Sequence, residues 1–137
     1  MKCSIFYFTT SGNTEALAGM LQEVLESKGY EVTCSDFDNA DVSSLNDSEF
    51  VALGSPAQGT EEIDESAFMP FYNEHLDTLK GKKLFLFGCF GWGDGQYMLD
   101  FVEKAQADGC NVIGHYTHLE SPDDSAKEGL ESALASL

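Results

Sequence analysis

Residues 3–25 read CSIFYFTTSGNTEALAGMLQEVL, and the succession of side-chain types in this stretch decides the fold. Cys3 to Phe8 is an apolar, β-rich run. Thr9 to Thr14 follows as six consecutive hydroxyl, amide or glycine residues without a charge. Leu17, Met20, Leu21, Val24 and Leu25 then recur at helical spacing, Gly29 is placed to stop the helix, and Tyr30 to Cys34 is a second β-rich run. The order is that of a βαβ opening.

The same alternation continues along the chain. A strand is expected at Phe50 to Gly54, then a loop, then one helix with Phe68, Phe71, Tyr72, Leu76 and Leu79 on a single face, Pro70 near its first turn and Gly81 ending it. Lys83 to Cys89 reads as a strand, and Met98, Phe101, Val102 and Ala105 as a helix face. Asn111 to Leu119 reads as a strand and Ser125 to Leu137 as a helix. Five strands separated by helices imply a parallel sheet with right-handed crossovers and helices on both faces, an α/β open sandwich. Such sheets bind ligands beyond the carboxyl ends of their strands. Three unusual loops fall there: TTSGNT after the first strand, SPAQGTEE after the third and FGWGDG after the fourth.

Composition limits what those loops serve. The 137 residues, 42% hydrophobic, suit one domain over residues 1–137 with one sizeable core. The formal charge is −17, from 24 acids against 7 bases, all lysines, which disfavours nucleic acid and anionic membrane as partners. The apolar run at the N-terminus stops at Phe8, so it reads as a strand and not a secretory signal. Cys3, Cys34, Cys89 and Cys110 lack C-x-x-C spacing and point to a reducing cytoplasm without disulfides or zinc. His115 and His118, three apart on a strand, point to opposite faces, which disfavours a metal site.

Asn13 or Ser11 as an ordinary helix cap accounts for only one or two of the six residues in the first loop. Six together, opening a helix, suggest backbone N–H groups, the helix dipole and short side chains converging on a phosphate. The lysine of a Walker loop, the G-x-G-x-x-G of a dinucleotide fold and the cysteine–arginine pair of a phosphatase are all missing, and the chain has no arginine. A phosphate held by neutral donors is a static anchor, as for a cofactor, because nothing there stabilises a phosphoryl-transfer transition state. Trp92 lies between Gly91 and Gly93 beside Phe90, where glycines let a planar ligand approach and an indole stacks on it.

T-x-[ST]-G-N-T after the first strand, the pattern from Gly59 to Phe71 and F-G-W-G-D-G-x-x-M from Phe90 to Met98 together resemble flavodoxin, specifically the short-chain, clostridial-like type. The resemblance spans essentially the whole chain, and the fifth strand lacks the insertion that marks long-chain members. It implies a three-layer α/β/α sandwich with strand order 2-1-3-4-5, bound FMN, and a monomeric low-potential one-electron carrier rather than an enzyme. By position, Thr9, Thr10, Ser11, Gly12, Asn13 and Thr14 would hold the phosphate. Trp92 would cover one face of the isoalloxazine. Gly59 and Thr60 would face flavin N5, Glu61 would accept from N3, and the backbone of Cys89, Phe90 and Gly91 would meet the pyrimidine end. Pro56, Ala57, Gln58, Gly93 and Asp94 complete the expected cofactor-binding set. Clostridial relatives carry methionine where Gln58 stands, which leaves the cover of the second face open. Implied partners are basic-faced redox enzymes such as a ferredoxin/flavodoxin reductase or a 2-oxoacid oxidoreductase.

Two other functions share this fold class. A receiver domain needs an acidic pair after the first strand and an aspartate ending the third, where this chain has Thr9-Thr10 and Gly54-Ser55. A flavin-dependent quinone or NAD(P)H reductase adds loops that shape a substrate pocket, and no such insertion is present. The acids Glu61, Glu62, Asp64, Glu65 and Asp94 are expected to lie near the flavin as exposed charges that lower its second reduction potential and steer a basic partner.

Overall fold

A computed structural model describes residues 1–57, 62–91 and 95–135. Five strands, β1 (Lys2–Tyr7), β2 (Glu31–Asp36), β3 (Phe50–Gly54), β4 (Lys83–Phe90) and β5 (Asn111–Leu119), form one parallel sheet in the order β2-β1-β3-β4-β5. Ile5 sits between Cys34 and Ala52, and Ala52 in turn lies opposite Phe85. The helices are α1 (Asn13–Ser27), α2 (Val42–Asp47), α3 (Phe68–Glu74), α4 (Leu76–Lys80), α5 (Gln96–Ala107) and α6 (Asp124–Ala133).

Burial follows the two-residue period of a strand. Ile5, Ala52, Phe85 and Phe87 pack under α1 and α6 against Leu17, Leu21, Leu25 and Leu130. Phe6, Val51, Leu53, Leu84 and Leu86 point the other way, onto Phe68, Tyr72, Met98 and Phe101. Central β3 is buried along its whole length, which is why it reads as an uninterrupted apolar run, whereas most of edge strand β5 is half-buried. The three-layer sandwich and its strand order are as expected.

Four local expectations need correction. The single helix over Phe68 to Leu79 is two, broken at His75, where the backbone drifts to φ −106°, ψ 15°. Hydrogen bonds from His75 N–H to Phe71 O and from Leu79 N–H to His75 O carry the chain across the break. The last helix ends at Ala133 rather than Leu137. A short 3₁₀ turn at Phe37–Asn39 and α2 had no counterpart in the sequence reading; Asp36 and Asp41 cap them by accepting from Asn39 N–H and Ser43 N–H. Strands β1, β2 and β4 differ from expectation by one or two residues at their ends.

In a parallel sandwich the strand N-termini and helix C-termini share one end. Lys2, Lys82 and Lys83 stand at or beside strand starts, and Lys28, Lys80 and Lys104 at or beside helix ends, so six of the seven lysines gather there. Lys82 Nζ donates to the carbonyls of Asn46 and Ser48, which pins α2 against the start of β4.

Candidate functional site

The three loops converge at the opposite end. The first begins with Phe8, whose N–H donates to Gly54 O at the end of β3 (3.0 Å). Thr9 Oγ1 then accepts from Gly12 N–H at 3.0 Å, and Gly12 takes the left-handed conformation, φ 90°, that glycine adopts at least cost. Gly12 is the residue that precedes the helix, and no side chain caps it. Neither Asn13 nor Ser11 performs the ordinary capping role; Asn13 is the first helical residue and its Oδ1 accepts from Ser121 Oγ at 3.1 Å. The first intrahelical bond is Ala16 N–H to Gly12 O, so the N–H groups of Asn13, Thr14 and Glu15 have no partner within the helix.

Thr14 sharpens this picture. The residue is 1% exposed, and its Oγ1 is the only buried side-chain polar atom without a hydrogen-bond partner among the described residues. Leaving a buried hydroxyl unsatisfied costs about 1–3 kcal/mol, a cost that an acceptor placed at the loop would remove. A phosphate, rich in acceptor oxygens and attracted to a helix N-terminus, fits these donors.

Beside the loop opens a cleft of about 150 Å³ lined by Thr10, Ser11 and Asn13 from the first loop, Pro56 and Ala57 after β3, Cys89, Phe90 and Gly91 at the end of β4, and Glu120. Residues expected from all three loops are thereby brought to one place. Gln58, Gly59, Thr60 and Glu61, with Trp92, Gly93 and Asp94, lie outside the described residues. Ala57 N–H donates to Cys89 O (3.0 Å), which joins the second loop to the third.

Two contributors, Glu120 and Tyr97, escaped the sequence reading, and a third, Asp64, has a different role from the one expected. Glu120 has φ 59°, the only non-glycine residue in the left-handed region among those described, and its N–H donates to Phe90 O at 2.7 Å. Tyr97, from the first turn of α5, reaches Ser55 O with its hydroxyl at 2.8 Å. Asp64 is the third, and it corrects an expectation. Only 2% exposed, its carboxylate accepts from Ser66 N–H and Oγ, Ala67 N–H (2.8 Å) and Phe68 N–H (2.9 Å), ordering the entry to α3. Burial pushes its pKa up, but the hydrogen bonds from Phe68, Ser66 and Ala67 outweigh burial and hold it below the usual carboxylate value. It is a structural acceptor that orders the turn before α3 and not one of the exposed acids, whereas Glu62 and Glu65 are exposed.

His118 Nδ1 meets Tyr116 Oη at 2.8 Å, and His115 is exposed. Cys3, Cys89 and Cys110 are buried, and burial pushes the Cys89 thiol up to about 12. Among the described residues no group of three His, Cys, Asp or Glu side chains is arranged to hold a metal ion, and no helix is long and apolar enough to cross a membrane.

The sequence profile described as Flavodoxin matches residues 5–135. The chain is 35% identical over 121 residues to a flavodoxin of Megasphaera elsdenii, covering 88% of each. It is 33% identical over 124 residues to a flavodoxin of Clostridium beijerinckii, covering 90% of each. The solution structure of two-electron reduced Megasphaera elsdenii flavodoxin superimposes with a TM-score of 0.85 at 34% identity, over 96% of this chain and 97% of that one.

Proposed function

The chain belongs to the flavodoxin family, and from that premise we propose which of its residues carry out the family's task. It binds FMN and carries electrons between redox proteins, with no reaction of its own to catalyse. Neither a receiver domain nor a quinone reductase finds support in the relatives. Flavodoxins are themselves the reference case for ligand binding at the β1/β3 switch point of this sheet order.

In the reading we favour, Thr9 to Thr14 hold the FMN phosphate through backbone N–H groups and hydroxyls, without any cationic side chain. Pro56, Ala57 and the backbone of Cys89 to Gly91 receive the ring. Gln58 to Glu61 and Trp92 to Asp94 take the positions that the motifs give them, with Trp92 over one ring face. The bound flavin supplies a ring that takes up and releases electrons singly. What the protein adds is an anchored phosphate, a dry wall and an acidic surround. The 137 residues act as one FMN-binding domain and as a monomer in the cytoplasm. The partners are basic-faced enzymes, a ferredoxin/flavodoxin reductase or a 2-oxoacid oxidoreductase, and the second step runs at low potential. The observation that carries this reading is the buried, unpartnered Thr14 hydroxyl at the uncapped start of α1.

Titrating apoprotein with FMN, riboflavin and FAD tests it. One equivalent of FMN should bind, and riboflavin far more weakly, since charge-assisted hydrogen bonds contribute roughly 1.5–3 kcal/mol each. Slow anaerobic reduction should resolve two one-electron steps. Equal affinity for FMN and riboflavin refutes the phosphate anchor.

A further inference from the structure

Tyr97 is 3% exposed, and its place in the core among α5 side chains asks only for an aromatic ring. Its hydroxyl does something more specific. It donates to Ser55 O at 2.8 Å and lies 3.5 Å from Cys89 O, so it touches the backbone of both segments that wall the cleft. Ser55 is fully buried immediately after β3. Its N–H donates to Phe87 O (3.1 Å), and its Oγ accepts from Asp64 N–H (2.9 Å) and donates to Pro56 O (2.8 Å). Two residues on, Ala57 N–H donates to Cys89 O. The segment from Ser55 to Ala57 is therefore laid against β4 and fastened at both ends.

Gly88 makes the fastening possible. A Cβ there would stand 1.9 Å from Ser55 O and 2.4 Å from Tyr97 Oη, inside the space that the hydrogen bond occupies. The close approach of two backbone segments and the hydroxyl that bridges them form one device, built where the loops after β3 and β4 diverge.

We propose that Tyr97 is a positioning residue for the cofactor: its hydroxyl locks Ser55 to Ala57 onto β4, fixes the separation of the two loops that receive the ring, and so sets flavin affinity and the first reduction potential. The inference rests on the FMN site proposed above. Phenylalanine in its place keeps the ring, but it leaves a buried carbonyl short of a donor and frees the root of the second loop.

The test compares Tyr97→Phe with Tyr72→Phe. Tyr72 is also fully buried, and its hydroxyl bonds Asp108 Oδ2 (2.8 Å) at the far end of α5, away from the cleft. Both variants lose one buried hydroxyl, so a purely structural role predicts similar behaviour. In Tyr97→Phe, amide exchange at Ala57 and Asp64 of the apoprotein should quicken about tenfold and the FMN dissociation constant rise about tenfold. Its first reduction potential should shift by roughly 30 mV, the equivalent of a threefold change in relative affinity for the two oxidation states at about 59 mV per tenfold. Tyr72→Phe should lower stability and leave all three unchanged. Parallel behaviour of the two variants overturns the inference. Should wild-type apoprotein decline FMN, the cofactor reading falls, and the exchange comparison still decides the clamp. Should Tyr97→Phe not fold, the wild-type protein decides: an unprotected Ala57 amide overturns the clamp, and protection equal to that of β3 supports it.

Discussion

Replacing Thr14 by valine separates a phosphate anchor from an ordinary core threonine, because the two roles predict opposite signs. Valine has nearly the same shape and a similar helix propensity, so packing under α1 is conserved. The hydroxyl lost is buried and unpartnered, and such a group costs about 1–3 kcal/mol. The Thr14→Val apoprotein should therefore be more stable than wild type by that amount, a rise in Tm of about 3–5 °C per kcal/mol for a chain of this size. With FMN the sign reverses. One charge-assisted hydrogen bond of roughly 1.5–3 kcal/mol is gone, and the dissociation constant should rise ten- to a hundredfold. Thermal melts of apoprotein and a flavin-fluorescence titration measure the two quantities independently. A variant that melts lower than wild type and binds FMN unchanged would falsify the reasoning, since Thr14 would then be a satisfied core residue.

Other expectations concern the acids. Asp64→Asn should destabilise the apoprotein by roughly 2–3 kcal/mol, because the amide presents an N–H group to N–H donors at the entry to α3. The folded Asp64 carboxyl titrates below its unfolded value near 3.9, so its stabilisation is complete above that pH and is lost as pH falls through the folded pKa. Acid melts of Asp64→Asn should lack that part of the wild-type decline below about pH 4. Glu120→Gln removes a charge from the cleft rim; at about 10 Å and water-like dielectric this is ~0.4 kcal/mol, so the second reduction potential should rise by about 20 mV, and an unchanged redox titration refutes it. Neutralising the exposed Glu62 and Glu65 together should slow electron exchange with a basic redox protein several-fold at low ionic strength. The difference from wild type should vanish near 1 M salt, and a salt-independent difference counts against steering.

Strands and long helices were legible because their signals are local. Val51 to Leu53 is a buried run, and Leu17, Leu21 and Leu25 mark one face of α1. Helix α2 was not, because VSSLND is barely two turns long and buries only Leu45. In the site, the first loop was readable from its own composition. Asp64 was not distinguished from its acidic neighbours in TEEIDE, because burial there depends on a fold between Ser55 and α3; the one available signal was an aspartate shortly before the helix start. The Tyr97–Ser55 bond spans 42 residues and Ser121–Asn13 spans 108, and no periodicity encodes either. Glu120 gave no sign, since its left-handed backbone favours glycine and glutamate masks it.

The gathering of lysines at one pole also determines how the molecule can be tethered. Apart from Lys127, every lysine amine lies at the end remote from the cleft. Reagents that couple through amines, or a resin or electrode carrying activated esters, will therefore grip the protein by its base. The immobilised layer then presents its flavin-receiving face to the solution, in a common orientation and without an engineered tag.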